Sequence, residues 1–231
     1  FLVAGFNFLN KKQITQKEIK LNPFASIEVE AKSAFVWDVI NKRPLYEKNA
    51  SMPRPLASLT KVMTAVTAAE IAPNLKGITI KLADLSPEGD SKLKVASEWN
   101  VKNLIDYILL VSSNDGAHAL AASVGELNVG GLNVGALNKN VNSDIGRDQF
   151  ILEMNKMARE IGLTQSTFFN EHGLDNNDGM SGALGSARDM ALLFEYAIKN
   201  YPHLLEATRY PGLNINDLEN DYYKAENTNA I

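Results

Sequence analysis

The sequence contains no cysteine in its 231 residues. Disulfide bridges, thiolate metal ligands and a cysteine nucleophile are therefore excluded together. The chain is also poor in positive charge, with 23 Lys and Arg against 27 Asp and Glu, and its basic residues are scattered. Because a nucleic-acid-binding surface needs clustered positive charge, nucleic acid is not an expected partner.

Histidine is scarce as well, and the three in the chain are His118, His172 and His203. A catalytic zinc ion needs three well-placed protein ligands, and these histidines show no H-E-x-x-H or comparable spacing. We therefore expect no metal and no cofactor. His118 is interpreted as a helix-surface residue and His172 as a packed loop residue.

The first nine residues, F-L-V-A-G-F-N-F-L, are nearly all apolar and lack an initiator Met. They are too few to cross a bilayer, which takes roughly 20 residues. We interpret residues 1–26 as the end of a membrane anchor or signal segment plus a linker, and a buried strand or helix is the alternative. Residues 27–231 would then form a domain outside the cytoplasm.

Hydropathy patterns in that domain predict both strands and helices. Alternation from Ile27 to Tyr46 predicts a β-hairpin, and residues 76–97 predict a smaller hairpin-like insertion. Single strands and helices do not alternate, which excludes a doubly wound parallel sheet and favours an α+β fold. The other predicted features are helices over 58–71, 101–111 and 115–124, a core stripe of Phe150, Met154, Met157 and Ile161, a surface loop over 127–147, and a capped helix from Ser186 through Ala197.

The pattern S-x-x-K occurs twice, at Ser58–Lys61 and at Ser91–Lys94. Ser91 lies in a polar, alternating stretch and is interpreted as a solvated strand edge. Ser58 begins a predicted helix, so Lys61 lies on the same face within reach of its hydroxyl. A serine nucleophile needs a base, and lysine serves when burial lowers its pKa. A helix N-cap and an exposed lysine are equally compatible with this pattern alone.

A polar triplet, Ser112-Ser113-Asn114, interrupts two predicted apolar helices and is the chain's one S-x-N. The Ser112 hydroxyl is suited to relay a proton from Lys61 to a leaving amine. The Asn114 amide is suited to bind a substrate carbonyl. A plain connection between helices is the alternative.

Together these motifs resemble those of the D-alanyl-D-alanine carboxypeptidases, which are low-molecular-weight penicillin-binding proteins. The similar stretches, in chain order, are P-L-A-S-L-T-K-V-M-T-A at 55–65, S-S-N-D at 112–115, F-F-N-E-H-G-L at 168–174, S-A-R-D-M-A-L-L at 186–193 and N-T-N at 227–229. The resemblance implies a β-lactamase/transpeptidase-like fold, in which a helical subdomain flanks an antiparallel sheet.

The resemblance also implies a mechanism. Ser58 attacks the carbonyl between the terminal D-alanines of a peptidoglycan stem peptide, Lys61 accepts its proton, and Ser112 passes a proton to the departing D-alanine. Asn114 binds the substrate, and water hydrolyses the acyl-enzyme. β-Lactam antibiotics acylate the same serine. The implied location is the outer side of a bacterial cytoplasmic membrane.

Three features differ from the family pattern. The third motif, K-T-G, does not occur before the last residue, Ile231, so we expect the C-terminal strands of the sheet to be missing and the chain by itself to be poorly active. The loop over 127–147 is longer than usual. Glu171 stands where the family often has Pro, which we interpret as neutral.

Three other functions stay open. A homologue lacking K-T-G can bind peptidoglycan without cleaving it. A β-lactamase-like hydrolase needs a carboxylate to activate water, and Glu126-Leu127-Asn128 faintly resembles such a site. An endopeptidase or transpeptidase uses the same mechanism, since the sequence does not define the acyl acceptor.

Overall fold

A computed structural model of the chain describes residues 23, 24, 26–85, 88, 92–129, 143–176 and 179–229. The proposed anchor within residues 1–22, the interpretation of Ser91 and the centre of the 127–147 loop lie outside these residues and stay predictions. Within the described part of the chain, no helix combines the length and apolarity that crossing a bilayer requires.

The helical part of the fold carries the hydrophobic core. The helices are α1 (Thr60–Ile71), α2 (Val101–Val111), α3 (Asn114–Val129), α4 (Ser143–Ile161) and α5 (Ala187–Asn200). Helices α3 and α4 pack along each other, and α1 contacts both. The predicted core stripe on α4 is confirmed, because Phe150, Met154 and Met157 are buried and Ile161 packs against them.

Short antiparallel strands surround the helices. They are β1 (Ala34–Asp38), β2 (Arg43–Lys48), β3 (Arg54–Pro55), β4 (Ile78–Thr79), β5 (Glu98–Trp99), β6 (Thr167–Phe168), β7 (Ala183–Gly185), β8 (Gly212–Asn216) and β9 (Tyr222–Glu226). The pairings are β1–β2, β3–β7–β6, β4–β5 and β8–β9. The predicted N-terminal hairpin is thus confirmed, and the antiparallel pairing agrees with an α+β fold.

Helix α5 begins as the sequence predicts. The Ser186 hydroxyl accepts a hydrogen bond from the Asp189 backbone N–H at 3.1 Å, which satisfies one of the free donors of the first turn. The Asp189 carboxylate accepts from the Gln165 N–H at 2.7 Å and the Ser166 hydroxyl at 2.8 Å. This capping pair therefore also joins α5 to the segment that follows α4.

The hairpin predicted over residues 76–97 is confirmed only where its two ends meet. Among the described residues of this range, the one strand is Ile78–Thr79, which pairs with Glu98–Trp99, whereas Leu82–Leu85 forms a 3₁₀ helix. The reason is local, because the Asp84 carboxylate accepts from the Lys81 N–H at 2.7 Å and turns the chain there.

The ends of the loop predicted over 127–147 are helical instead, since α3 continues to Val129 and α4 begins at Ser143. Glycine in this region serves close packing. A Cβ atom on Gly125 would lie 1.8 Å from the Gly146 carbonyl oxygen. The two helices approach each other here as only glycine allows.

We expect Met154→Ala to lower the free energy of unfolding by about 2–5 kcal/mol, because it leaves a cavity in the core. Met154 is fully buried, whereas Leu152 on the same helix is 62% exposed. The matched change Leu152→Ala should cost less than about 0.5 kcal/mol. Urea denaturation of both variants measures the difference, and equal losses would contradict the assignment of the α4 core face.

Candidate active site

A 3₁₀ turn, Ala57–Leu59, leads directly into α1 and carries Ser58. Lys61 lies in the first turn of α1, and its Nζ is 3.1 Å from the Ser58 Oγ. Ser58 is exposed, whereas only 2% of the Lys61 side chain surface is accessible. The alternative of an exposed first-turn lysine is therefore wrong.

Ser112 reaches the same hydroxyl from the turn between α2 and α3. It ends α2 in the left-handed backbone conformation, with φ 58° and ψ 40°, and its Oγ donates to the Ser58 Oγ at 2.8 Å. The neighbouring Ser113 points the other way and accepts from the Gly116 N–H at 2.9 Å. The first serine of the triplet thus faces Ser58 and the second caps α3.

Asn114, the first residue of α3, does not join this group. Its Nδ2 donates to the Glu88 carbonyl at 2.5 Å, and its side chain does not line the cavity beside Ser58. The Glu88 carbonyl occupies one of the two N–H donors of the amide, and the Asn114 Oδ1 has no hydrogen-bond partner among the described residues. Its role stays a prediction.

A cavity of about 640 Å³ opens beside Ser58. Lys61 and Ser112 lie at the same end, and apolar side chains such as Leu109 and Phe194 line the rest. Thr228 of the N-T-N stretch also lines it and donates its backbone N–H to the Leu110 carbonyl at 3.0 Å. The cavity therefore has room for a small molecule beside the exposed hydroxyl.

The environment of Lys61 favours the neutral form of its amine. Burial lowers the pKa of the Lys61 amine, and the negative charge of Glu171 raises it. Burial has the larger effect, so the pKa falls to about 8. The amine also donates to the His172 carbonyl oxygen at 3.0 Å. A buried amine with a lowered pKa and a fixed orientation can accept a proton from a neighbouring hydroxyl.

The 170–174 segment lies directly beneath the nucleophile turn. The Thr64 hydroxyl of α1 donates to the Glu171 carbonyl at 2.6 Å. Gly173 has φ +85°, and a Cβ atom there would lie 2.0 Å from the Ala57 carbonyl oxygen. Only glycine fits this approach, so the segment and the turn carrying Ser58 are packed backbone to backbone.

Glu171 is fully buried and surrounded by basic side chains. Two Arg147 nitrogens lie 3.3 Å from its oxygens, the His118 Nδ1 lies 3.1 Å away and the His172 Nε2 lies 3.7 Å away. Burial alone raises the pKa of Glu171, but the close contact with His118 and the charges of Arg147 and His172 together lower it to about 2. The carboxylate is ionised at neutral pH.

Sequence patterns do not predict this cluster. The interpretation of His118 as a helix-surface residue is wrong, because His118 is only 6% exposed, and Glu171, interpreted as an unimportant replacement of Pro, lies at the centre of the cluster. The small and apolar neighbours of His118, G-A-H-A-L, are the signal that could have indicated its burial. His172 does pack as predicted, and burial lowers its pKa to about 4.

The remaining candidates lie elsewhere. Lys94 of the second S-x-x-K pattern forms an exposed ion pair with Asp221 at 2.6 Å. Glu126, considered for a β-lactamase-like site, pairs with Lys81 at 2.9 Å and does not line the cavity beside Ser58. In the described ranges no group of three His, Asp or Glu side chains is arranged to hold a metal ion.

The sequence of the chain is similar to sequences of known proteins. The family model described as D-alanyl-D-alanine carboxypeptidase matches residues 16–231. The chain is 30% identical to D-alanyl-D-alanine carboxypeptidase DacC of Escherichia coli (strain K12), over 75% of this chain and 41% of the relative. It is 28% identical to DacF of Bacillus subtilis (strain 168), over 74% and 39%. The chain thus spans about two fifths of the length of these curated relatives.

Solved structures show the same fold. Penicillin-binding protein D2 from Listeria monocytogenes, in its ampicillin-bound form, superposes with a TM-score of 0.67 at 28% identity. The match covers 88% of this chain and 74% of that one. This likeness confirms the predicted penicillin-binding, transpeptidase-like architecture.

We expect Gly173→Ala to destabilise the protein by more than about 3 kcal/mol, because its Cβ would overlap the Ala57 carbonyl. Gly162 is the matched control, since it has a similar φ of +88° but no atom within 4 Å of an added Cβ. Gly162→Ala should therefore show only the cost of the left-handed backbone, about 1–2 kcal/mol. Thermal or urea unfolding separates the two, and equal losses would refute the close approach.

The lowered pKa of Lys61 predicts a pH dependence of stability. Between the folded pKa of about 8 and the unfolded value of 10.5, the unfolded chain holds a proton that the folded chain does not. The free energy of unfolding therefore rises with pH across this window. Between pH 8 and 10.5 we expect the free energy of unfolding of wild type to rise by on the order of 3 kcal/mol relative to that of Lys61→Met. Urea denaturation across the window measures this, and a constant difference would contradict it.

Proposed function

Because the chain belongs to the D-alanyl-D-alanine carboxypeptidase family, we propose that it supplies the acylating serine of a carboxypeptidase that trims peptidoglycan. Its substrate is a stem peptide that ends in D-alanyl-D-alanine. The observation that carries the proposal is the position of the Ser58 Oγ, which lies 3.1 Å from the Lys61 Nζ and 2.8 Å from the Ser112 Oγ. A hydroxyl held between an amine and a second hydroxyl is suited to acyl transfer.

The first step is attack by Ser58 on the substrate carbonyl. The neutral Lys61 amine accepts the hydroxyl proton on its lone pair, while one of its N–H groups donates to the His172 carbonyl and holds the amine beside Ser58. The bond between the carbonyl carbon and the leaving nitrogen then breaks. Ser112 passes a proton to the departing D-alanine, and an acyl-enzyme remains.

Water completes the reaction by hydrolysing the ester. The pKa of Lys61, lowered to about 8 by burial, leaves a usable neutral fraction at physiological pH. β-Lactam antibiotics would react at the same hydroxyl, and the ampicillin-bound structure of the 28% identical protein D2 supports this part of the proposal. Asn114 is the proposed substrate-binding residue, through the amide N–H that the Glu88 carbonyl does not occupy.

The proposed setting is the outer side of a bacterial cytoplasmic membrane. Peptidoglycan lies there, and the apolar residues at the start of the sequence support attachment through residues 1–26. The domain that acts on the cell wall would begin near Ile27.

The test is labelling with a fluorescent penicillin, using the protein expressed from its complete reading frame. Wild type should form a stable adduct, and Ser58→Ala should form none because the nucleophilic oxygen is gone. Ser91→Ala, in the second S-x-x-K pattern, should label like wild type. Labelling of Ser58→Ala at the wild-type level would end the assignment.

The products formed from a stem pentapeptide separate the alternatives. Release of free D-alanine, together with a long-lived penicillin adduct, supports a carboxypeptidase. Rapid turnover of penicillin indicates a β-lactamase-like hydrolase instead, and cleavage of cross-linked peptides alone indicates an endopeptidase. Binding of peptidoglycan without any product indicates a homologue that has lost catalysis.

A further inference from the structure

The Glu171 carboxylate connects three parts of the fold next to Lys61. The carboxylate contacts Arg147 on α4 and His118 on α3. The backbone carbonyl of Glu171 accepts a hydrogen bond from the Thr64 hydroxyl on α1. We propose that Glu171 is a positioning residue, which holds the 170–174 segment beneath the Lys61 amine and supplies the negative charge that balances it. This inference rests on the proposed role of Lys61 as the base.

The backbone contacts are the first support. The 170–174 segment meets the helix that carries the base at the His172 carbonyl, which accepts from the Lys61 Nζ at 3.0 Å. It meets the nucleophile turn at Gly173, where no side chain fits. Displacement of Glu171 would therefore move the oxygen that orients the amine.

The charges are the second support. The groups that face Glu171 are Arg147 from α4, His118 from α3, His172 from its own segment and Lys61 from α1. Asp84, buried in the 3₁₀ helix after β4, faces His118 from the other side. Glu171 is thus the carboxylate at the centre of a basic cluster, and without its charge the buried Lys61 amine would hold a proton less tightly.

The decisive variant is Glu171→Gln, which keeps the shape of the side chain and removes its charge. We expect the pKa of Lys61 to fall by roughly 0.5–1 unit. A ¹³C NMR titration of lysine Cε measures it directly, with the Lys61 signal identified by its loss in Lys61→Met. The acidic limb of the rate of penicillin acylation should move to lower pH by the same amount, because acylation needs the neutral amine.

Two further variants serve as controls. Glu171→Asp keeps the charge and should restore a pKa of Lys61 close to that of wild type. Glu153→Gln, on α4, removes a carboxylate that pairs with Lys156 at 3.2 Å, and it should leave the pKa unchanged. A merely structural role for Glu171 would lower the acylation rate equally at every pH and leave the titration of Lys61 where it is.

Arg147→Met covers the case in which Glu171→Gln does not fold. It removes a cation from the same cluster, so the pKa of Lys61 should rise instead of fall. An unmoved Lys61 signal in the variant that folds would overturn the inference. Failure of wild type to react with penicillin would reject the proposed function alone, because the NMR titration needs no activity.

Discussion

The burial of the Lys61 amine is the constraint on which the site depends. An ammonium group loses its hydration when it is buried, and an amine at this depth is stable only with fixed partners. The structure provides the Ser58 hydroxyl and the His172 carbonyl as direct partners, and the Glu171 charge acts nearby. Ser58 lies one turn from Lys61, whereas His172 and Glu171 come from a distant part of the chain, so these surroundings of the amine exist only in the folded domain.

Unusual backbone conformations gather around the same point. Ala57, Ser112 and Gly173 all have positive φ values, of 45°, 58° and 85°. For the two residues with a Cβ atom this conformation costs energy, about 1–3 kcal/mol each. It turns the chain so that the hydroxyls of Ser58 and Ser112 meet, and the packed core of α1, α3 and α4 offsets the cost. The strained backbone conformations therefore lie at the candidate site.

The sequence predicts the parts of this arrangement that depend on local spacing. Lys61 follows Ser58 by one turn of a helix, and the capping of α5 by Ser186 needs only four residues. It does not predict what depends on distant contacts. The partners of Glu171 lie on α3 and α4, and the extension of those helices depends on the close approach of Gly125 and Gly146. In the sequence alone, glycine at these positions indicates a loop. Its role in close packing is visible only once the facing helix is in place.

The two S-x-x-K patterns show why spacing alone does not make a base. Lys61 and Lys94 hold the same place in the pattern, yet their pKa values move in opposite directions. Burial lowers the pKa of Lys61 to about 8, whereas the hydrogen bond and charge of Asp221 raise the pKa of the exposed Lys94. An amine that holds its proton more tightly cannot accept one from serine near neutral pH. The tertiary surroundings, more than the motif, decide which lysine can act as the base.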